Sequence, residues 1–142
     1  AEYTQYKLDH EIPYDTLLFS DAKSTLDVLK AEGYKLGLAS STIKIEIIRA
    51  MKLTGLLPYF EVVLSGDDFE ESKPNPEIYQ VAMTRLNVAP EETLVIEDSE
   101  KGIAAGVDSG ATVWGIKDNV FGLNQTRAAK LFDNLTQIVK QL

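Results

Sequence analysis

The sequence predicts an α/β fold with a mostly parallel sheet and flanking helices. Short apolar runs that suit buried strands cover residues 34–39, 62–64, 93–97 and 112–116, and they alternate with helical stretches. Polar or charged residues follow directly where several of these runs end. Ligands of open α/β sheets bind at the carboxyl ends of the strands, so these polar residues are the first candidates for a functional site.

Start and stop signals predict the helices. Ser99 and Asn75 can each cap a helix, Pro76 suits a first helical position, and Gly33 and Gly110 are stop signals. The predicted helices cover residues 21–32, 43–52, 76–86, 99–110 and 135–142, and a last short strand lies near residues 131–132.

The first residues follow a different pattern. Residues 1–7 are predicted to be the end of a helix, which the connector over residues 9–14 breaks at Pro13. His10, the only histidine, lies in this connector. A lone histidine there is more often a surface residue than a catalytic one, and we favour the surface interpretation.

Composition excludes several classes of partner. The formal net charge is −8 over 142 residues, which argues against nucleic acid or an anionic membrane as the main partner. No apolar run approaches the length of a membrane span, and the first residues lack the features of a signal peptide. The chain contains no cysteine, which excludes disulfides and is compatible with a cytoplasmic location.

An acidic pair follows the predicted strand over residues 93–97. Glu97 and Asp98 are adjacent carboxylates at a strand end, where they repel each other and lose hydration. A bound cation explains this arrangement, and hard oxygen ligands suit Mg²⁺. The alternative is an acidic helix N-terminus that only complements the helix dipole.

Hydroxyl groups and one lysine complete the candidate site. Ser40, Ser41 and Thr42 follow a strand and precede a helix, which is typical of a phosphate or anion cradle. A helix cap is the simpler interpretation of these three residues taken alone. Lys73 is a single cation after four acidic residues, and Pro74 stiffens the chain beside it, which a solvated lysine does not need.

Together these groups are typical of phosphoryl transfer, in which positioning and charge neutralisation do most of the work. Three segments resemble, in order, the second, third and fourth motifs of the haloacid dehalogenase (HAD) superfamily. They are Leu-Ala-Ser-Ser at residues 38–41, Ser-Lys-Pro-Asn-Pro-Glu-Ile-Tyr at 72–79 and Ile-Glu-Asp-Ser-Glu-Lys-Gly-Ile-Ala-Ala-Gly at 96–106. The subgroup that the chain resembles most is the β-phosphoglucomutase-like one, from about residue 13 to the end.

This resemblance implies a Rossmann-like HAD core and a role for each matched residue on the phosphate side. Ser40 would bond the transferring phosphoryl group, helped by the backbone N–H of Ser41, and Thr42 could bind phosphate as well. Lys73 would neutralise charge between the phosphoryl oxygens and a nucleophilic aspartate. The catalytic residues expected in this chain are therefore Lys73 and Ser40.

The resemblance also implies the metal and the reaction. Glu97 and Asp98 would hold Mg²⁺, directly or through water. In this family an aspartate attacks the phosphate ester, and the resulting aspartyl-phosphate is hydrolysed or passed on. The implied partner is a small phosphorylated metabolite such as a sugar phosphate.

The family's nucleophile motif, Asp-x-Asp-Gly after an N-terminal strand, occurs nowhere in the sequence. We therefore expect residues 1–19 to be the remnant of a helical cap domain and connector, and residues 20–142 to be the core without its first, central strand. That absence would leave the centre of the sheet open. We further expect the chain to be the C-terminal portion of a longer enzyme, with the aspartate in a missing N-terminal segment, and to be inactive alone.

Specificity leaves alternatives open. True β-phosphoglucomutases follow the serine with polar residues that grip a second phosphate, whereas here Ile43 is apolar and Lys44 comes one place late. A phosphatase is favoured over a mutase-type isomerase for this reason. A non-catalytic HAD scaffold is less favoured, because it would not be expected to keep the lysine and both acids. A response-regulator receiver has its acids before its lysine in the chain, and a Rossmann dehydrogenase needs a Gly-x-Gly-x-x-Gly motif that is absent.

Overall fold

The computed structural model describes residues 3–6, 22–118 and 121–142. The strands in these ranges are β1 (Tyr3–Tyr6), β2 (Lys35–Ser40), β3 (Val62–Ser65), β4 (Thr93–Glu97), β5 (Thr112–Ile116) and β6 (Lys130–Phe132). The α-helices are α1 (Ala22–Ala31), α2 (Lys44–Thr54), α3 (Glu77–Leu86), α4 (Glu100–Asp108) and α5 (Leu135–Gln141). Every predicted element beyond residue 20 is present, because capping and apolar periodicity are local signals.

The strands form one sheet in the order β3-β2-β1-β4-β5-β6. All neighbouring pairs are parallel, which confirms the predicted α/β class with a parallel sheet and flanking helices. Parallel neighbours require crossover connections, and helices supply them in most of the chain.

The centre of the sheet contradicts two predictions. Tyr3 pairs with Lys35 on β2 and with Thr93 on β4, and the pairing continues to Tyr6. Residues 3–6 are therefore a strand and not the end of a helix, and the central position that we expected to be open is filled. The physical reason is that β2 and β4 each need a partner for their backbone N–H and C=O groups, and strand pairing requires no particular side chain.

Two apolar cores cover the two faces of the sheet. One core packs α1, α2 and α5 against β2 and β4, through residues such as Leu29, Leu38 and Ile96. The other packs α3 and α4 against the opposite face, with Tyr79 and Val95 among its members. Successive strand residues point to opposite faces, so buried strands of this kind are apolar almost throughout.

The predicted cap remnant and the connector with His10 lie outside the described residues, apart from the strand at residues 3–6. Among the helices that the structure describes, none has the length and apolar character needed to cross a membrane.

Register brings the candidate residues to one edge. Tyr6, the last residue of β1, pairs with Leu38 on one side and Ile96 on the other. Ser40 and Glu97 therefore both lie beyond the carboxyl end of β1, on the two strands that flank it. This edge of the sheet contains the candidate site.

Candidate active site

Lys73 reaches across the carboxyl edge of the sheet from the segment between β3 and α3. It is 5% exposed, and its Nζ lies 2.6 Å from Oε2 of Glu97. The same ammonium donates a hydrogen bond of 3.3 Å to the carbonyl oxygen of Ala39. One cation thus connects the ends of β2 and β4 across β1. Two charges that are buried this deeply must be paired, since an isolated buried charge is very costly.

Tyr79, in the first turn of α3, contacts both residues of this buried ion pair. Its side chain is fully buried, and its hydroxyl accepts a hydrogen bond of 2.9 Å from Lys73 and donates one to Oε2 of Glu97. Nζ of Lys73 also lies 4.8 Å from the centre of the tyrosine ring. Burial, followed by the charge and hydrogen bond of Glu97, raises the pKa of Tyr79 well above its usual value. The hydroxyl therefore stays protonated and can donate to the carboxylate.

Glu97 is held against the start of α4. Ser99 is the N-cap of this helix, as predicted, and its Oγ accepts a hydrogen bond of 3.0 Å from the N–H of Gly102. A Cβ placed on Gly102 would overlap the Glu97 carboxylate. The helix can approach the carboxylate this closely only because residue 102 has no side chain.

Asp98 is half-buried and lies between the end of β4 and the N-cap of α4. Its main-chain oxygen accepts a hydrogen bond of 2.8 Å from the side-chain amide of Gln125. Gln125 belongs to the segment between β5 and β6. As a whole residue, Asp98 is less buried than Glu97, which is 2% exposed.

The acidic pair fits Mg²⁺ with a partial protein shell. No cluster of three or more His, Cys, Asp or Glu side chains suited to a metal occurs in the described part of the chain. Mg²⁺ commonly takes one or two carboxylates and completes its shell with water and substrate phosphate. Asp98 and Glu97 offer such hard oxygen donors.

The hydroxyl residues form a tight turn after β2. Ser40 is 2% exposed, and its Oγ accepts a hydrogen bond of 3.2 Å from the N–H of Thr42. Ser65, at the end of β3, donates to the carbonyl oxygen of Thr42 at 2.6 Å. Oγ1 of Thr42 is buried with no hydrogen-bond partner among the described residues, as a ligand-facing hydroxyl would be. Ser41 is exposed at the tip of the turn.

These hydroxyls do not cap the following helix, so the simpler interpretation of the segment is wrong. The N-cap of α2 is Ile43, which makes no side-chain capping bond. The N–H of Lys44 instead donates to Oδ2 of Asp67 at 3.0 Å. Asp67, 23 positions later in the chain, therefore accepts a hydrogen bond from the first turn of α2 in place of a hydroxyl of residues 40–42.

The side chain of Lys44 also makes contacts within the fold. Its Nζ lies 3.0 Å from Oδ2 of Asp68 and 2.7 Å from the carbonyl oxygen of Val63. It joins α2 to the loop after β3.

Sequence reasoning missed Tyr79 and Gln125. Tyr79 lies six residues after Lys73, inside the third motif, but only the fold of that segment shows that the two side chains meet. Gln125 has no motif around it, and no sequence signal identifies its contact with Asp98. The structure brings Lys73 together with Glu97 and with the end of β2, where Ser40 lies. Asp98 directly follows Glu97 in the chain.

Comparison with known proteins identifies the family. The profile described as haloacid dehalogenase-like hydrolase matches residues 2–116, which is more than half of the chain. The chain belongs to the haloacid dehalogenase-like hydrolase family. This membership confirms the resemblance that the three motifs carry.

Curated members of the family include phosphatases of two kinds. The chain is 37% identical over 108 residues to a protein named pyrophosphatase PpaX from Bacillus pumilus, covering 73% of this chain and 48% of that protein. It is 36% identical over 107 residues to a phosphorylated carbohydrates phosphatase from Thermotoga maritima, covering 75% and 48%. The chain thus spans about half the length of these curated relatives.

Solved structures of the family agree with the fold. A HAD phosphatase from Thermococcus onnurineus superposes with a TM-score of 0.78 at 30% identity, over 92% of this chain and 65% of that one. A β-phosphoglucomutase from Clostridium difficile gives a TM-score of 0.71 at 26% identity, over 82% and 50%. The chain is therefore similar to both phosphatases and phosphoglucomutases of the family.

Proposed function

We propose that this chain is part of a Mg²⁺-dependent phosphohydrolase that acts on a small phosphorylated metabolite, such as a sugar phosphate. The buried Lys73–Glu97 pair at the carboxyl edge of the sheet carries this proposal, because it places one cation beside the hydroxyl turn and the acidic pair. The names of the relatives, a pyrophosphatase and a phosphorylated carbohydrates phosphatase, support a small phosphorylated substrate.

The proposed reaction has two steps. A carboxylate oxygen of an aspartate attacks phosphorus, the bond from phosphorus to the leaving oxygen breaks, and the leaving group takes a proton. Water then cleaves the aspartyl-phosphate, which releases inorganic phosphate and restores the carboxylate. We propose that this aspartate lies in a segment upstream of residue 1, because no Asp-x-Asp-Gly motif occurs in the sequence.

Residues of this chain would bind and neutralise the phosphoryl group. Ser40 and Thr42 would donate hydrogen bonds to its oxygens, with the N–H of Ser41, and Lys73 would offset the negative charge that gathers between phosphate and aspartate. Asp98 and Glu97 would hold Mg²⁺, which screens the phosphate oxygens when it is bound.

A phosphoglucomutase is the second candidate, favoured by the similarity to the Clostridium difficile structure. A mutase must hold a second phosphate near the turn after β2. Lys44, the first cation after that turn in the sequence, is engaged with Asp68 and with the carbonyl oxygen of Val63. This engagement supports hydrolysis over phosphate transfer within a sugar.

The test begins with the intact mass of the purified protein and the sequence upstream of residue 1. An Asp-x-Asp motif upstream supports the enzyme, and its absence favours a non-catalytic scaffold. Full-length protein is then assayed for phosphate release from pyrophosphate and a panel of sugar phosphates, and for isomerisation of glucose 1-phosphate, with Mg²⁺ and with chelator.

A pair of matched variants tests the metal assignment. Asp98→Asn should nearly abolish turnover, because it removes a charged hard ligand of Mg²⁺. Asp133→Asn makes the same chemical change at an exposed ion pair and should leave turnover unchanged. Full activity of the Asp98 variant would refute the metal site. The acidic net charge supports our proposal that the enzyme has no nucleic-acid or membrane partner, and the absence of cysteine is compatible with the cytoplasmic location that we propose.

A further inference from the structure

Gln125 is a buried side chain that no motif predicts. It is 8% exposed, in the segment between β5 and β6. Its Nε2 donates hydrogen bonds to the main-chain oxygens of Asp98 at 2.8 Å and Ile116 at 2.7 Å. Its Oε1 accepts a hydrogen bond of 3.0 Å from the N–H of Asp118. Both N–H bonds of the amide and its oxygen are thus in use, and no other side chain of this size offers two donors and one acceptor together.

These hydrogen bonds connect separate segments at the carboxyl edge of the sheet. Ile116 ends β5, and Asp98 is the residue between the end of β4 and the N-cap of α4. One amide therefore joins the carboxyl ends of two neighbouring strands and the loop that follows. The peptide plane of Asp98 cannot turn without breaking the bond to Gln125, so the direction of the Asp98 side chain depends on that bond.

We infer that Gln125 is a positioning residue that fixes the orientation of Asp98 for Mg²⁺ binding. This inference rests on the proposed function, in which Asp98 and Glu97 would hold Mg²⁺. Gln125 itself touches neither metal nor substrate in this role. Outer partners of metal ligands commonly orient the ligand by bonding its side chain. Gln125 would do so through the main chain of Asp98.

The same segment provides a matched control. Arg127, two residues further on, forms a half-exposed ion pair of 2.7 Å with Asp108 at the end of α4. Arg127→Ala perturbs the same loop without touching Asp98. Gln125→Met keeps the length of the side chain but removes its polar atoms, and Gln125→Asn keeps the amide on a shorter stem.

The experiment measures Mg²⁺ binding to the full-length protein by isothermal titration without substrate, and the Mg²⁺ dependence of phosphate release. Gln125→Met should weaken Mg²⁺ binding by about 10- to 100-fold. Turnover at saturating Mg²⁺ should stay within a few-fold of the unchanged protein. Arg127→Ala should leave the affinity unchanged, and Gln125→Met in the Asp98→Asn background should weaken binding no further.

The outcomes separate this inference from the proposed function. If the unchanged protein binds no Mg²⁺ and releases no phosphate, the proposed function is wrong. If it binds Mg²⁺ and is active, but Gln125→Met lowers only the melting temperature and not the Mg²⁺ affinity, the positioning role is wrong. Should Gln125→Met fail to fold, Gln125→Asn replaces it, and wild-type Mg²⁺ affinity in that variant likewise overturns the inference.

Discussion

Gly102→Ala tests whether the start of α4 depends on the buried carboxylate of Glu97. Alanine is normally the better residue inside a helix, by about 1 kcal/mol. Here the new Cβ would overlap the Glu97 carboxylate, which cannot retreat because Lys73 and Tyr79 hold it from the other side. The methyl group must therefore displace either the helix or the ion pair.

The magnitude follows from these two opposing effects. Breaking a buried ion pair costs roughly 3–5 kcal/mol, and the gain in helix propensity offsets about 1 kcal/mol of it. Gly102→Ala should therefore lower the free energy of unfolding by about 2–4 kcal/mol. Urea denaturation followed by circular dichroism measures this value, and Lys101→Ala, an exposed change in the same turn, should stay within about 0.5 kcal/mol of the unchanged protein.

A second background decides the cause. When Glu97→Ala and Lys73→Met remove both charges and the crowded carboxylate, Gly102→Ala should no longer destabilise and should gain up to about 1 kcal/mol. An equal loss of stability in both backgrounds would refute the proposed contact, since the Glu97 carboxylate would then not be what the methyl group meets.

Two further predictions concern pH. Tyr79→Phe should cost about 1.5–3 kcal/mol near pH 7, because it removes the hydroxyl that donates to Glu97. The pKa of Tyr79 is raised in the folded state, so its stabilisation is complete below the ordinary pKa of about 10 and is lost as pH rises further. The stability difference between the two proteins should thus shrink above pH 10, and a constant difference would contradict the raised pKa. The pKa of Asp68 is lowered: burial raises it, but the N–H of Ser65 and the Lys44 ammonium outweigh that effect. Asp68→Asn should cost less than about 1 kcal/mol at pH 7, and the difference should vanish as pH falls below about 4 and through the lowered pKa, which unfolding at pH 3 and pH 7 would check.

The sequence predicts much of this fold because its signals are local. The strand over residues 93–97, the Ser99 cap and the helix after Pro76 each depend on a few adjacent residues. The order of motifs then places Ser40, Lys73 and the acidic pair at one edge, since carboxyl ends of parallel strands share an edge.

Contacts between distant segments were not predictable in the same way. Asp67 occupies the start of α2 from 23 residues away, and Gln125 reaches Asp98 across 27. Neither contact leaves a pattern, because a single polar residue in a loop has many possible partners. The hydrogen bonds of the buried Tyr79 hydroxyl were not predictable either, because a tyrosine at an apolar helix position is first interpreted as a core residue.

The prediction for the central strand was wrong, and the strand that occupies this position can be tested directly. The segment Tyr3–Tyr6 pairs through its backbone with a strand on each side. Its amino-acid sequence therefore gave no pattern that identified it as the central strand. Its sequence, Tyr-Thr-Gln-Tyr, contains no carboxylate, whereas the proposed reaction needs an aspartate at the carboxyl end of the central strand.

Gln5→Pro distinguishes the two possible occupants of that position. Proline removes a backbone donor from the ladder and is not tolerated in a central strand, so the variant should destabilise the 142-residue chain by about 3 kcal/mol or more, while Gln5→Thr should not. In the full-length protein we expect an upstream strand that carries the aspartate to take the centre, and Gln5→Pro should then change stability by less than about 0.5 kcal/mol. A large loss in both proteins would show that Tyr3–Tyr6 keeps the central position. The aspartate of the proposed mechanism could then not stand on that strand.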